Sequence, residues 1–386
     1  MRGIWSLYRA LRCAGFASPP PRSGPGLCTV LDREEPWMND SLRAAEERSA
    51  AIEARIATHP QEFRMLTGDR PTGALHVGHY FGSLANRLRL QESGVDTWVL
   101  IADYQVITDR EIAGDIRGSV RDLLLDYLAA GIDPERSTIF THSAVPALNQ
   151  LLLPFLGLVS VAELQRNPTV KEEAAAAGIA SINGLMLTYP VHQAADILFC
   201  KANVVPVGKD QLPHIEQTRV VARRFNDRYG RIFPEPGALL SEATNVLGTD
   251  GTKMSKSRSN SIELRMTPEA TAKKIKGAKT DSDRQISYDP ATRPEVTNLL
   301  TIASLCEGTP PEQIAAEIGD GGGGALKARV TEAVNMFFGP LRQRRRELEA
   351  DPSHVDRVLR LGNERANEIA QATLDEVRDT MGMIYL

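Results

Sequence analysis

Cysteine is scarce in this sequence. The 386 residues contain four cysteines, Cys13, Cys28, Cys200 and Cys306, and no two of them form a C-x-x-C pair. Their spacing excludes a disulfide framework and the common zinc and iron–sulfur motifs, and it is typical of reduced thiols in an intracellular protein. We therefore expect no metal site made of protein ligands alone.

Excess charge and long apolar runs are also missing. Lys and Arg number 45 against 49 Asp and Glu, which gives a net charge of −4, so any nucleic-acid site must be a local patch. The longest apolar stretch, 151–162, is interrupted by Pro154 and is shorter than the ~20 residues of a membrane helix. The composition, with 42% hydrophobic and 24% charged residues, excludes a disordered chain and predicts two to three globular domains.

The N-terminal extension, residues 1–60, differs from the rest of the chain. Arg2, Arg9, Arg12 and Arg22 all precede the first acidic residue, Asp32. This Arg-rich, acid-poor pattern resembles an organellar transit peptide. The simpler explanation, which we prefer, is a disordered extension or a translated leader upstream of a true start at Met38. We expect a cytoplasmic protein, with organellar import directed by residues 1–40 as the alternative. Residues 39–57 predict a charged, solvent-facing helix.

Short apolar strands alternate with helices between residues 61 and 262. The predicted strands are 63–67, 97–102, 138–141 and 203–207, and the predicted helices are 76–90, 115–130 and 209–225. This alternation predicts an α/β fold with a doubly wound parallel sheet, whose ligands bind beyond the carboxyl ends of the strands. We expect a helical insertion at about 151–188 and a helical C-terminal domain at 263–386.

The first candidate motif joins the first predicted strand to the first predicted helix. It runs from Arg70 to His79 and ends in H-x-G-H, where His76 and His79 are three residues apart and share a helix face. The first turn of a helix offers free N–H groups to a phosphate, and Gly78 leaves the backbone open to a flat ring. Two surface histidines beside a turn are the simpler alternative.

The second candidate motif is Lys253-Met254-Ser255-Lys256-Ser257. Lysines on a polar loop suit a pyrophosphate leaving group, because each places a point charge on a long stem. Most such charge runs are solvated loops, so the motif gains weight only beside H-x-G-H.

Together the two motifs resemble those of the class I aminoacyl-tRNA synthetases, and further segments are similar to the tryptophanyl-tRNA synthetases of that family. These segments are Leu187–Pro190, Gln193–Leu198, Val205–Gln211, His214–Arg219 and Ala222–Asn226. The resemblance runs from about Met65 to the C-terminus. It implies a Rossmann-type catalytic domain at 61–262 and a C-terminal domain that binds the anticodon.

The resemblance also implies a reaction and its partners. L-tryptophan and ATP, bound with Mg²⁺, would give tryptophanyl-adenylate, and tryptophan would then pass to tRNA(Trp). A homodimer without membrane contact is expected. The implied catalytic residues are His76, His79, Lys253 and Lys256. The implied ATP-binding residues are Arg70, Pro71, Thr72, Gly78, His79, Gly208, Lys209, Asp210, Val246, Lys253, Met254, Ser255, Lys256 and Ser257. The implied tryptophan-binding residues are Gln105, Tyr189, Gln193, Asp196, Val205, Val207 and Gln211.

Three positions depart from the family pattern. Arg70 stands where many bacterial members have Gln, and Gln105 and Gln193 stand where other members have His and Met. These departures affect the expected pocket shape and its sensitivity to tryptophan analogues. Tyrosine activation, nucleotidyl transfer to a small molecule and a non-catalytic paralogue remain the alternative functions.

Asp196 has a physical argument of its own. It lies in an apolar run, and a buried carboxylate is costly unless it is hydrogen-bonded. The indole ring carries one N–H donor and no acceptor, so a buried acceptor selects indole over phenyl. A core aspartate with a protein partner is the alternative.

Two further patterns suggest macromolecular contacts. The apolar stripe Leu151, Leu152, Leu153, Phe155, Leu156, Leu158 and Val159 predicts a subunit interface, with burial inside its own subunit as the alternative. Two basic clusters are candidates for tRNA phosphates or for solvated helix faces: Lys273, Lys274, Lys276 and Lys279, and Arg342, Arg344, Arg345 and Arg346.

Overall fold

The computed structural model describes residues 36–108, 114–176, 182–240, 246–254 and 258–385. The chain divides into two compact units, residues 1–43 and 44–386. Of the first unit the structure describes residues 36–43, which are helical. The sheet, the core and the candidate site lie within the second unit. Among the described residues, no helix is both long enough and apolar enough to cross a membrane.

Five parallel strands form the central sheet. They are β1 (Arg64–Asp69), β2 (Asp96–Ile101), β3 (Ser137–Thr141), β4 (Val204–Val207) and β5 (Gly237–Leu240), in the order β3-β2-β1-β4-β5. The chain thus runs outward from β1 to β3 and then returns to the other side of β1. The predicted doubly wound sheet is confirmed. The fifth strand has only four residues, and its sequence pattern did not indicate it.

Helices cover the sheet and form the C-terminal part. The helices before β4 are α1 (Pro36–Ile56), α2 (Val77–His79), α3 (Ala85–Ser93), α4 (Ile116–Ala130), α5 (Pro146–Gln150), α6 (Leu152–Leu156), α7 (Val161–Arg166), α8 (Pro168–Ala176) and α9 (Gly184–Leu198). Those after β4 are α10 (Leu212–Arg228), α11 (Pro268–Lys276), α12 (Pro294–Glu307), α13 (Pro311–Ile318), α14 (Gly322–Ala350) and α15 (Pro352–Thr380).

Strand β2 shows how the sheet is buried on both faces. Val99 and Ile101 point into one apolar cluster, shared with α4, α12 and α14, whereas Trp98 and Leu100 point into another, shared with α9 and α10. Because side chains alternate along a strand, an unbroken apolar run fills both cores at once.

The predicted helix 76–90 is interrupted. A π-helical turn, Tyr80–Leu84, separates α2 from α3, and Gly94 ends α3 with a φ of 95°. Wide turns of this kind are frequent at functional sites, and this one directly follows His79.

The apolar stripe of the insertion packs mainly against its own subunit. Leu151 and Phe155 are fully buried, and Leu158 is nearly so. Leu153 points outward and is 73% exposed. The density of apolar residues is therefore explained largely by the core of the subunit itself. Of this stripe, only Leu153 is exposed and available for contact with a second subunit in the predicted dimer.

Candidate active site

A cavity of about 370 Å³ opens at the carboxyl ends of β1, β2 and β4 and is closed on one side by α9. All seven predicted tryptophan-binding residues line it: Gln105, Tyr189, Gln193, Asp196, Val205, Val207 and Gln211. Arg70 and Gly208, from the predicted ATP-binding set, line it too. Residues from four separate segments of the sequence thus meet where a doubly wound sheet is expected to bind its ligand.

Asp196 is buried in the cavity wall, where 1% of its surface is exposed. Its Oδ1 accepts a hydrogen bond from Nε2 of His142 at 2.8 Å. His142 is the first residue after β3 and is fully buried. The sequence analysis missed this histidine, although its position directly after a predicted strand was the signal that could have found it.

A second imidazole lies beside the first. His192, one turn before Asp196 on α9, donates from Nε2 to Oδ1 of Asn149 at 2.8 Å. The amide of Asn149 donates in turn to the carbonyl oxygens of His142 and Val145, which fixes its orientation. Burial lowers the pKa of His192, and the neighbouring His142 lowers it further.

His142, His192 and Asp196 place three possible metal-ligand atoms within 4.8 Å of one another. Both Nε2 atoms are already committed to hydrogen bonds with Asp196 and Asn149. We therefore interpret this cluster of the described residues as a hydrogen-bonded network rather than as a metal centre.

The cavity contains another buried polar pair. The hydroxyl of Tyr189 lies 3.2 Å from Nε2 of His214. Burial lowers the pKa of His214 to about 4, so this imidazole is neutral at physiological pH.

A charged group closes the end of β1. The carboxylate of Asp69 accepts hydrogen bonds of 2.6 Å from Arg87 and from the hydroxyl of Tyr127. Burial opposes ionisation of Asp69, but the charge and the hydrogen bond of Arg87 outweigh it and hold the pKa well below its usual range. Asp69 and Arg87 line the cavity, and the sequence analysis assigned neither of them to the site.

His76 and His79 hold each other at the start of α2. The backbone N–H of His79 donates to Nδ1 of His76 at 3.3 Å, and the N–H of His76 donates to Nδ1 of His79 at 3.2 Å. Their rings stack with centroids 3.6 Å apart. Since each Nδ1 accepts, the proton of each neutral imidazole lies on Nε2, which makes both rings hydrogen-bond donors at that atom.

Gly78 faces the segment that precedes the lysine motif. A Cβ atom at Gly78 would lie 3.2 Å from the ring of His76 and 3.6 Å from the carbonyl oxygen of Val246. The structure thus places Gly78 and Val246, both predicted to bind ATP, side by side. A side chain at position 78 would fill the space between them.

The described parts of the lysine loop are anchored on both sides. Lys253 is exposed, whereas Met254 is buried in the core. The amide of Asn260 donates to the carboxylate of Asp250 at 2.8 Å and to the carbonyl oxygen of Lys253 at 3.1 Å. Ser255, Lys256 and Ser257 lie outside the described residues, so their assignment stays a prediction.

The chain then returns from this loop to the first motif. The N–H of Val77 donates to the carbonyl oxygen of Ile262, and the N–H of Leu264 donates to that of Leu75, both at 3.0 Å. The two motifs, far apart in sequence, are therefore joined through the backbone.

Nine of the predicted ATP-binding residues that the structure describes are not part of the cavity wall. Besides Gly78, His79, Val246, Lys253 and Met254, whose surroundings are given above, these are Pro71, Thr72, Lys209 and Asp210. Lys209 forms an exposed ion pair with Glu46 at 2.7 Å, and Asp210 accepts a hydrogen bond from Gln211. Their roles in binding nucleotide stay predictions.

The first motif is also supported by the C-terminal helices. Asp126 accepts from the N–H of Leu75 at 2.9 Å and from Arg345 on α14 at 2.5 Å. Arg342, also on α14, donates to the carbonyl oxygen of Leu264 at 3.1 Å. Arg342 and Arg345 are each 4% exposed, so the expectation that they contact tRNA phosphates is wrong: their guanidinium groups satisfy buried acceptors.

Known proteins were compared with the chain. The family described as class I tRNA synthetases (W and Y) matches residues 58–339. The tryptophan–tRNA ligase of Clostridium longisporum is 43% identical over 331 residues, which cover 83% of this chain and 97% of that protein. The tryptophan–tRNA ligase of Treponema pallidum is 42% identical over 337 residues, with coverages of 83% and 97%.

A solved structure agrees with these sequence matches. The tryptophanyl-tRNA synthetase of Campylobacter jejuni, complexed with ADP and tryptophan, aligns with a TM-score of 0.73 and 31% identity over 83% of this chain and 99% of that chain. The matched family range contains the cavity and both motifs. As its motifs predicted, the chain therefore belongs to the class I tRNA synthetases of the tryptophan and tyrosine type.

Proposed function

We propose that this protein is a tryptophan–tRNA ligase, which activates L-tryptophan with ATP and transfers it to tRNA(Trp). The single observation that carries the proposal is the buried carboxylate of Asp196 in the wall of the cavity. The two relatives are 42–43% identical to the chain, which covers 97% of each of them. They support tryptophan rather than tyrosine as the amino acid that is activated.

The amino acid occupies the cavity in this proposal. Asp196 accepts the indole N–H, and the hydroxyl–imidazole pair of Tyr189 and His214 closes the apolar space around the ring. An unpaired donor in a closed pocket costs ~1–3 kcal/mol, which makes one buried acceptor an effective selector. Gln193, one turn from Tyr189 on α9, and Gln105 add amide groups at the positions that depart from the family pattern.

ATP lies against the first motif, with adenine against the backbone of Gly78 and beside Val246. The carboxylate of tryptophan attacks the α-phosphorus, a new O–P bond forms, and the bond to the β-phosphate oxygen breaks to release pyrophosphate. The Nε2–H groups of His76 and His79 donate to phosphate oxygens as their charge grows. Lys253 and Lys256 neutralise the leaving pyrophosphate, so the reaction needs only positioning and charge stabilisation.

Mg²⁺ enters with ATP in this proposal. It prefers oxygen ligands and retains several waters, whereas the one described cluster of possible ligands supplies two nitrogens and is buried. The phosphates would supply most of its ligands, and the bound ion would screen their charge while the protein residues position the reacting groups.

The C-terminal helices and an apolar surface supply the macromolecular contacts. Arg344 and Arg346 are exposed on α14 and stay candidates for tRNA phosphates, with 263–386 as the anticodon-binding domain. Leu153 and Val161, 73% and 60% exposed, would meet a second subunit. Light scattering that gives twice the 42.2 kDa of one chain supports the dimer, and a monomer at working concentration refutes it.

Location remains a choice between cytoplasm and organelle. We propose the cytoplasm, where the family's substrate tRNAs are used in translation, with import directed by residues 1–40 as the alternative. Mapping the N-terminus of the protein isolated from its own cells decides between them, because cleavage near residues 20–40 supports import.

Pyrophosphate exchange into ATP tests the function directly. We expect exchange with tryptophan and none above background with the other amino acids, followed by charging of tRNA(Trp). Exchange with tyrosine alone identifies a tyrosine enzyme, and no exchange with any amino acid identifies a non-catalytic paralogue.

A further inference from the structure

His142 supports the cavity without forming part of its described wall. The cavity is lined by Asp196, whose Oδ1 lies 2.8 Å from Nε2 of His142. Neither side chain is more than 2% exposed. A ligand in the cavity would therefore meet Asp196 directly and would depend on His142 only through it.

The ring of His142 packs against two other aromatic rings. It stacks on Tyr104, with centroids 6.2 Å apart and planes inclined by 14°, and it packs against His192 with centroids 4.6 Å apart. The amide of Asn149 holds both histidines, because it donates to the carbonyl oxygen of His142 and accepts from His192. A ring held in this way has little freedom to turn away from Asp196.

The hydrogen bond has only one direction when Asp196 is ionised. A carboxylate accepts and cannot donate, so the proton lies on Nε2 of His142. Nδ1 of His142 is buried and has no hydrogen-bond partner in the described part of the chain. Buried nitrogen atoms without a hydrogen-bond partner are rare in proteins, so this one calls for an explanation.

We propose that His142 is a positioning residue for tryptophan specificity. It occupies Oδ1 of Asp196 and fixes the carboxylate so that its second oxygen accepts the indole N–H. The inference rests on the proposed function, since it requires that Asp196 recognises the indole. It adds a residue outside the cavity wall that determines how well that recognition works.

Two near-isosteric variants separate the hydrogen bond from packing. In His142→Gln the side-chain amide nitrogen lies about as far from Cβ as the histidine Nε2 does, so it can donate to Asp196. In His142→Met the side chain fills a similar space but has no donor. The readout is pyrophosphate exchange with tryptophan and with 3-(3-benzothienyl)alanine, in which sulfur replaces the indole N–H. The ratio of the two kcat/KM values reports the bond to Asp196.

We expect His142→Met to lower kcat/KM for tryptophan about 10- to 100-fold, the usual effect of losing a hydrogen bond to a charged group. The loss should appear mainly in KM, and the sulfur analogue should change by less than about threefold, since it never made the bond. His142→Gln should keep a ratio close to that of the parent. His354→Gln, a histidine replaced on α15 away from the cavity, serves as the control.

The inference fails if His142→Met keeps the parent ratio, or if His142→Gln loses as much of it as His142→Met. Asp196→Ala distinguishes this failure from that of the proposed function. If Asp196→Ala loses the ratio while His142→Met keeps it, only the positioning role is refuted. If Asp196→Ala keeps it, the indole contact itself is refuted. Should His142→Met not fold, His142→Asn replaces it, because its amide is one methylene too short to reach Asp196.

Discussion

The two ends of the candidate site are held in place by different kinds of contact. At the amino-acid end, buried side chains hold one another: His142 holds Asp196, and Tyr189 pairs with His214. At the nucleotide end, His76 and His79 are held by backbone N–H groups, and Lys253 is exposed. The first end is organised before its ligand arrives, which suits discrimination. The second offers donors and cations that can act as charge develops, which suits rate.

The supports of the two ends differ as well. The amino-acid end, on α9, is held by His142 after β3, by Asn149 on α5 and by His214 on α10. The nucleotide end is held partly from α14, because Arg345 binds Asp126 and Asp126 binds the N–H of Leu75, next to His76. Variants at one end should therefore alter tryptophan selection, and variants at the other should alter the rate or the stability.

The largest effect is expected at the remote support. Arg345→Met leaves Asp126 without its charged partner in the core, and breaking a buried pair in this way typically costs about 3–5 kcal/mol. Urea unfolding should show this loss, while Arg346→Met, an exposed neighbour on α14, should change stability by less than about 0.5 kcal/mol. Equal midpoints for the two variants would mean that the buried pair does not support the fold.

The next effect concerns Lys256. A lysine that meets the β- and γ-phosphates only as charge develops lowers the barrier without tightening substrate binding. Lys256→Ala should slow single-turnover adenylate formation by about 10²–10³, corresponding to about 2.7–4 kcal/mol, with little change in the KM for tryptophan. Lys253→Ala should act similarly, with a larger share in ground-state binding of ATP.

Lys171→Ala, an exposed lysine on α8, is the matched control for these two variants. A near-parent rate for Lys256→Ala would show that the second motif does not hold the pyrophosphate.

A pH effect tests the burial of the amino-acid end. The pKa of His214 is about 4 in the folded protein against an ordinary 6.5, so between these values the unfolded chain binds the extra proton and folding weakens as pH falls. At about 1.4 kcal/mol for each pKa unit, roughly 3 kcal/mol of stability is lost between pH 6.5 and 4. His214→Gln keeps a partner for Tyr189 without titrating, so its stability should depend less on pH. Identical pH profiles would contradict a buried neutral imidazole.

The smallest effect is also the most selective. Asp196→Ala leaves the indole N–H unpaired and should reduce kcat/KM for tryptophan by about 1–3 kcal/mol. The weak activation of phenylalanine, which has no such donor, should fall much less. Equal losses for both amino acids would indicate that Asp196 serves the structure rather than the selection.

Local patterns were sufficient for much of the fold. The strand predicted at 97–102 and the helix predicted at 115–130 agree with β2 and α4 to within one residue at each end. Strand β4 has the same four-residue length but is rich in valine, whereas Gly237–Leu240 of β5 contains no β-branched residue and so gave no strand signal. The π-helical turn after His79 also escaped, because a local change from i→i+4 to i→i+5 hydrogen bonds has no distinct sequence pattern.

For the site, the sequence by itself predicted most of the residues that we assign to it, and the tertiary structure decided what each of the described ones touches. H-x-G-H, the lysine motif and the cavity residues follow from segments that can be recognised one at a time. The position of His142 after a predicted strand marked it as a candidate, but its contact with Asp196 could not be predicted, because the two residues are 54 positions apart along the chain. Arg345 looked like a tRNA contact until its partner Asp126, 219 residues away, proved to be buried with it. A single charged residue in a sequence gives no sign of whether its side chain will lie in solvent or in the core. Only long-range packing removes the water and leaves a specific partner in its place.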